Sequence, residues 1–426
     1  MSKAIGLLLA AVSLGSSVQL SAQIDFRPRA RAILMTVPLT DGHNDIPDAV
    51  RERGGLEMVA LDTGDPRLMT DIPRLRAGGV GAQFWAAYVP VSTIHGGTRP
   101  AVYALEQIDL ILRMCRKFPK DLALARTAAD VDRNFKNGKI SCLIGIEGGH
   151  AIENSLGALR AFYDLGVRYM TLTHWETIDW ADAATDSARH DGLTPFGEEV
   201  VREMNRVGML VDLSHVSDAT MMDALRVSRA PVIYSHSSAR ALANHVRNVP
   251  DSILARVARN GGVVMVNFNP PFVSEERRLH EVRRDSALAA LRAAAVDSAA
   301  VRDSARAWNE RAPVVTIEQV ADHIDHIRRV AGVDHVGLGS DFDGISSTPE
   351  GLDDVSKFPD LVAELLRRRW TEVDLKKLCG QNALRVMREA EQLSAQLPGR
   401  AGRHSSRGGA GCPGDSPTGP CRRARS

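Results

Sequence analysis

The chain has 426 residues, 44% hydrophobic and 25% charged, the balance of an ordinary globular protein and enough for two or three average domains or one large α/β barrel. Its net charge of +1 lacks the basic excess expected of a nucleic-acid-binding domain. No run of about 18 to 20 apolar residues stands in it to cross a membrane as a helix.

The N-terminus reads as a secretory signal over residues 1–23. Lys3 supplies positive charge, Ile5 to Leu14 is short and mostly apolar, and Ser21-Ala22-Gln23 puts small residues near a cleavage point. No cysteine lies in or just after it to carry a lipid anchor, so a secreted or periplasmic protein is expected.

Short apolar runs bounded by turn residues predict eight strands: Leu39–His43, Val80–Val89, Ile140–Ile146, Val167–Thr173, Met209–Ser214, Val232–Ser235, Gly262–Phe268 and His335–Gly339. Most are apolar almost throughout, as strands buried on both faces of a parallel sheet must be. Helical spacing fills Ala101–Phe118, Leu156–Leu165, Phe196–Val207 and Asp218–Val227, the last with Asp218 as its expected N-cap. Eight strands alternating with helices predict a (β/α)8 TIM-type barrel over 24–397, and an open doubly wound sheet is the alternative.

Residues 274–312 are rich in Arg, Ala, Asp, Ser and Glu and read as a solvated helical insertion between strands seven and eight. From 398 to 426 the chain is Gly, Arg, Ser and Pro, too poor in apolar groups to fold, and reads as a disordered tail. Cys142 sits in a buried strand as a small core residue, and the five cysteines form no disulfide framework that sequence can assign.

The chemistry gathers where the strands end. Two runs finish on histidine, His215 and His236, a third finishes on Glu147, and the first carries His43 and Asp45 in a His-x-Asp pair. Strand side chains alternate, so positions i and i+2 share a face and His43 and Asp45 can reach one ion. Imidazole and carboxylate are the ligands of zinc or a similar divalent metal. A single histidine at a strand end is commonly structural. Five ionisable groups at one rim of one barrel would be costly to bury unless paired or coordinated, which points to a two-metal hydrolytic centre.

These residues lie in segments that follow one another in a familiar order. They are Asp41-Gly42-His43-Asn44-Asp45, Gly145-Ile146-Glu147-Gly148, Leu172-Thr173-His174, Asp212-Leu213-Ser214-His215, Ser235-His236-Ser237-Ser238, Arg247-Asn248-Val249-Pro250 and Ser340-Asp341-Phe342-Asp343-Gly344. From about Thr40 to Glu389 the chain resembles the renal, or membrane, dipeptidases, peptidase family M19 among the amidohydrolase-like barrels. The resemblance implies two Zn2+ per chain, with Glu147 bridging, His43 and Asp45 completing one site, and His215 and His236 the other. It implies a water or hydroxide between the ions as nucleophile. His174 would contact substrate and stabilise the tetrahedral intermediate, Arg247 would bind the substrate's terminal carboxylate, and Asp341 would carry the proton to the leaving amine. Asp343, two residues on, reads as structural. Dipeptides, including those with a C-terminal D-residue, are the implied substrates, and a homodimer is compatible with the resemblance.

Two departures bear on substrate preference. Phe272 stands where some members carry a tyrosine, and Asp179-Trp180-Ala181-Asp182 differs from the commoner asparagine-bearing form. Two other readings stay open: a hydrolase of the same fold acting on a cyclic amide, lactone or β-lactam, and a non-catalytic binding barrel. Arg247 favours a substrate with a free carboxylate.

Overall fold

The computed structural model describes residues 24–294 and 297–397. The readings for 1–23 and 398–426 lie outside the described residues. Nine parallel strands make one sheet: β1 (Leu39–Asn44), β2 (Val80–Tyr88), β3 (Leu122–Leu124), β4 (Ile140–Glu147), β5 (Val167–Thr171), β6 (Leu210–Asp212), β7 (Ile233–Tyr234), β8 (Val263–Val266) and β9 (Val336–Leu338). Their order is β2-β1-β9-β8-β7-β6-β5-β4-β3, and β2 also pairs with β4. That pairing, from Ala82 opposite Ser141 to Tyr88 opposite Glu147, closes eight strands into a (β/α)8 barrel and rules out the open sheet.

All eight predicted strands are present, most of them a residue or more shorter at an end. Sequence reading missed β3, which is three residues long. It pairs with Ile140–Cys142 on β4, whereas β5 pairs with Ile144–Glu147, so β3 is a short addition at the start of β4 and no barrel stave. The predicted helix Ala101–Phe118 runs from Pro100 to Lys117, and Leu156–Leu165 is observed as expected. Asp218 is not the cap of its helix. Ser217 is, because its Oγ accepts from the Thr220 N–H at 3.1 Å while Asp218 already has helical backbone.

Two layers of apolar packing account for the near-continuous hydrophobic runs. Ala82, Phe84, Leu143, Tyr169, Leu210, Ile233, Val263 and Met265 fill the barrel interior, with Leu384 and Met387 of the helix Asn382–Gln396 added to the same cluster. Residues of the opposite parity, such as Cys142, Ile144 and Ile146 on β4, pack outward against the helices. Two helices stand within 274–312 among the described residues. Helices Glu275–Ala293 and Ser298–Glu310 bury only Leu288 and Val301 between them. No helix among the described residues is long and apolar enough to cross a membrane.

Candidate metal centre

The predicted ligands meet at the C-terminal ends of the strands. His43 is the penultimate residue of β1, Asp45 directly precedes the helix Ile46–Glu52 as its N-cap, and Glu147 ends β4. His174, His215 and His236 lie two or three residues past β5, β6 and β7. All six are buried.

Their ligand atoms converge on Glu147. Oε1 is 2.9 Å from His215 Nε2, 3.4 Å from His236 Nε2 and 3.7 Å from His174 Nε2, and Oε2 is 3.5 Å from His43 Nε2. His43 Nε2 also stands 3.2 Å from Asp45 Oδ2, and the Nε2 atoms of His215 and His236 are 3.0 Å apart. Tetrahedral ligands at about 2.1 Å from an ion lie about 3.4 Å from one another. The spacings seen here fit that figure. Three overlapping groups could each hold an ion: His43, Glu147 and His236; Glu147, His174 and His215; and His43, Asp45 and Asp341. Glu147 and His43 each belong to two of them.

The charge state of the cluster also suits cations. Burial holds His174, His215 and His236 well below the usual imidazole range, reinforced by the positive charge of Arg247, so they are neutral with lone pairs to offer. Burial opposes a charge on His43 too, but Tyr169, Glu147 and Asp45 outweigh it and draw a proton to that ring. Burial raises the Asp341 carboxyl well above its ordinary range, with Asp45 and Glu147 adding repulsion. The site pulls in protons where divalent ions would otherwise supply the positive charge. His43 Nε2 has no hydrogen-bond partner, which is how an imidazole aimed at an ion looks.

Neighbours that sequence reading missed orient these ligands. His43 Nδ1 is 2.8 Å from the Tyr169 hydroxyl. Tyr169 reaches it across the barrel because Gly145 stands in between: a Cβ there would lie 2.0 Å from the tyrosine ring. The signal in sequence is slight, one tyrosine in an apolar strand and one glycine in another. Asp41 accepts from the backbone N–H and hydroxyl of Ser340 at 2.7 and 2.6 Å, tying β1 to the end of β9.

Asp341 lies on the same rim with φ of 66°, a left-handed conformation shared with His215 at 71° and Asp343 at 65°. Such backbone in residues other than glycine concentrates at functional sites. Asn267 Nδ2 donates to Asp341 Oδ2 at 2.9 Å, which fixes the carboxyl. A Cβ on Gly344 would lie 2.2 Å from Asp45 Oδ2 and 2.7 Å from Asp341 Oδ1, so any other residue there would displace both carboxyls.

Arg247 is 1% exposed, yet Nε and Nη1 of its guanidinium have no partner, and burial lowers its pKa to about 10. It lies 5.5 Å from the centre of the Phe272 ring. Arg247, Phe272, Asp341, Glu147, His174, His215 and His236 share one open cavity of about 400 Å³, with Asp45, Asp48, Glu52, Tyr88 and Trp175 among its other walls. All eight predicted site residues are thus within one cluster and its cavity, except that His43 lies beneath the floor at 0% exposure. A buried, unpaired guanidinium facing a cavity calls for an anion.

Comparison with known proteins agrees with this geometry. The family model described as membrane dipeptidase, peptidase family M19, matches residues 27–401. Dipeptidase 3 of Rattus norvegicus is 43% identical over 383 residues, covering 88% of this chain and 70% of its own. A metallopeptidase from Rhodobacter sphaeroides, solved with a phosphinate mimic of the dipeptide L-Ala-D-Ala, is 28% identical with a TM-score of 0.67, covering 83% of this chain and 99% of its own. The probable dipeptidase PvdM from Pseudomonas aeruginosa, 22% identical, shares the fold with a TM-score of 0.76 over 86% of this chain and 98% of its own. With a match across nearly every described residue and a cluster of candidate metal ligands at the barrel rim, this chain belongs to the membrane dipeptidases, peptidase family M19, and is a metallodipeptidase.

Proposed function

We propose that the chain is an exported, two-zinc dipeptidase that cleaves the single peptide bond of short dipeptides, including those with a C-terminal D-residue. The observation that carries this reading is the convergence of four imidazole Nε2 atoms on the two oxygens of Glu147, at 2.9 to 3.7 Å. In it Glu147 would be shared by both ions, His43 and Asp45 would help hold one, and His215 and His236 the other. When bound, the ions lower the pKa of a water and polarise the scissile carbonyl.

The chain's own groups supply the rest. Arg247 offers unpaired guanidinium donors to the substrate's terminal carboxylate, a contact that sets the dipeptide's direction and length. His174, neutral and edge-on to Tyr88 and Trp175, holds its ring toward the cavity and stabilises negative charge developing on the carbonyl oxygen. Asp341 takes the proton from the attacking water and returns it to the leaving amine, its carboxyl aimed by Asn267. The unpaired guanidinium favours a free carboxylate over the cyclic amide, lactone or β-lactam reading. The full set of ligands beside Asp341 speaks against a merely binding barrel. Support for the D-residue comes from the Rhodobacter sphaeroides relative and its L-Ala-D-Ala mimic.

The test is metal analysis of the purified protein joined to kinetics on L,L and L,D dipeptides, N-blocked dipeptides, tripeptides and dipeptide amides. Two zinc ions per chain and turnover confined to free dipeptides are expected. Equal cleavage of a dipeptide and its amide sinks the carboxylate reading and moves the lactone or cyclic amide ahead.

A further inference from the structure

The helix Ile46–Glu52 brings a second kind of charge into the cavity. Asp48 and Glu52 are four residues apart, hence on one face, and both line the cavity beyond the metal ligand Asp45. Asp48 is half-buried. Its Oδ1 accepts from Gln107 Nε2 at 2.9 Å and from the Tyr103 hydroxyl at 3.4 Å, two neutral donors that fix the carboxylate without cancelling its charge. Glu52 is exposed at the mouth.

Neither carboxylate has a cationic partner among the described residues. The arginines on the same helix and its end are engaged elsewhere. Arg51 pairs with Glu106 at 2.6 Å and lies over the Tyr103 ring, and Arg53 donates to the carbonyls of Ala49 and Arg67. The largest charge effects on Asp48 come from Asp45 and Glu52, both repulsive. A partly buried carboxylate with like charges beside it and no ion-pair partner is stabilised when a ligand brings a cation.

The acids are not the only sign of a ligand. The same cavity holds the unpaired Arg247 guanidinium, 1% exposed, whose charged neighbours are Asp341, Glu147 and Asp212, none of them on this helix. An anion therefore suits Arg247 and a cation suits Asp48, in a cavity that Asp45, Glu147, His174, His215 and His236 also line. Asp48 is three residues, about 4.5 Å of helix rise, past Asp45. A dipeptide's α-ammonium is tethered two bonds from the scissile carbon, close to the metal ligands. An ammonium or guanidinium on a three- or four-carbon stem spans the extra turn.

We propose that Asp48, with Glu52 at the mouth, makes the cavity selective for dipeptides whose N-terminal residue has a cationic side chain, lysyl or arginyl. This rests on the dipeptidase reading above and names the substrate class of that site. Charge-assisted contacts of this kind carry about tenfold to a hundredfold in kcat/KM.

The test compares Lys-Ala, norleucyl-Ala and Glu-Ala on the zinc-loaded enzyme at one pH and ionic strength. Norleucine has the lysine stem without the ammonium, and all three share the α-ammonium and the terminal carboxylate. The native enzyme should prefer Lys-Ala to norleucyl-Ala about tenfold or more, mainly through KM, and disfavour Glu-Ala. Asp48→Asn keeps an oxygen for Gln107 and should bring the lysyl-to-norleucyl ratio within about twofold. Glu52→Gln should lower that ratio in part, and more at low salt, as befits an exposed charge. Equal native kcat/KM for lysyl and norleucyl substrates overturns the proposal and leaves the dipeptidase reading intact. Equal loss of both in Asp48→Asn overturns it too, because the carboxylate would then serve the shared α-ammonium or the fold. No hydrolysis of any of the three by zinc-loaded protein overturns both readings.

Discussion

The Nδ1 of His236 lies 2.8 Å from Ser235 Oγ, and that hydroxyl donates onward to Asp212 Oδ2 at 2.7 Å. Because the hydroxyl hydrogen is spent on Asp212, its oxygen accepts from His236 Nδ1–H. The tautomer is thereby set, and the Nε2 lone pair faces Glu147. Asp212 is held in turn by the Ser235 backbone N–H at 2.8 Å, so the relay is part of the strand ends themselves. Partners of this kind raise ligand basicity and typically contribute 10- to 100-fold in metal affinity. Ser235→Ala should weaken zinc binding by about that factor in a chelator competition, with kcat recovering at saturating zinc. Unchanged affinity would show that the relay does not tune the ligand.

Glu147 is the group on which the other ligands converge. Glu147→Gln keeps the shape but removes the negative charge that two cations would share, so metal and nearly all turnover should be lost while circular dichroism stays native. A variant with two zinc ions and native kcat would refute the bridging role.

Asp341→Asn separates proton transfer from metal binding. Removing a general acid–base group costs about 10² to 10⁴ in rate. Since Asn267 fixes the wild-type carboxyl and the amide is nearly isosteric, zinc content should stay at two per chain. Loss of one zinc instead would make Asp341 a ligand beside His43 and Asp45, a grouping their positions allow.

Arg247→Ala should reduce kcat/KM on dipeptides about ten- to more than a hundredfold, the range of a hydrogen bond to a charged group. Arg247→Lys should restore only part, because an ammonium lacks the planar fork. A dipeptide amide, already a poor substrate, should lose little more. Equal losses on both would point to a structural role for the buried guanidinium.

His323 predicts a pH dependence of stability away from the metal centre. Its Nδ1 accepts from the Ala239 N–H at 3.0 Å and its Nε2 donates to the Val273 carbonyl at 2.9 Å, which requires the neutral ring. Burial lowers its pKa to about 4. The unfolded chain takes up a proton near pH 6.5 and the folded one near 4. The stability is therefore whole above pH 6.5 and is lost as the pH falls toward 4, roughly 3 kcal/mol at most. The urea midpoint of the native protein should drop between pH 7.5 and 5 by more than that of His323→Gln. Parallel curves would refute the assignment.

The barrel and its candidate metal ligands were legible in the chain because both are local signals. Strands buried on two faces are continuous apolar runs, and in this architecture the chemistry stands at their C-terminal ends, so Glu147, His215 and His236 follow directly from where three runs stop. The cap at Ser217 and the three-residue β3 were misjudged or missed because neighbouring polar residues compete for a cap and three residues carry little pattern. What only the tertiary structure decided are relations between residues far apart in sequence. Closure rests on β2 meeting β4, His43 meets Tyr169 across 126 positions through the space left by Gly145, and Ser340 holds Asp41 across 299. The unpaired guanidinium donors of Arg247 and the lack of an ion-pair partner for Asp48 belong to the same class. A sequence states which charges a chain owns, but whether each finds a partner depends on which surfaces the closed barrel brings face to face.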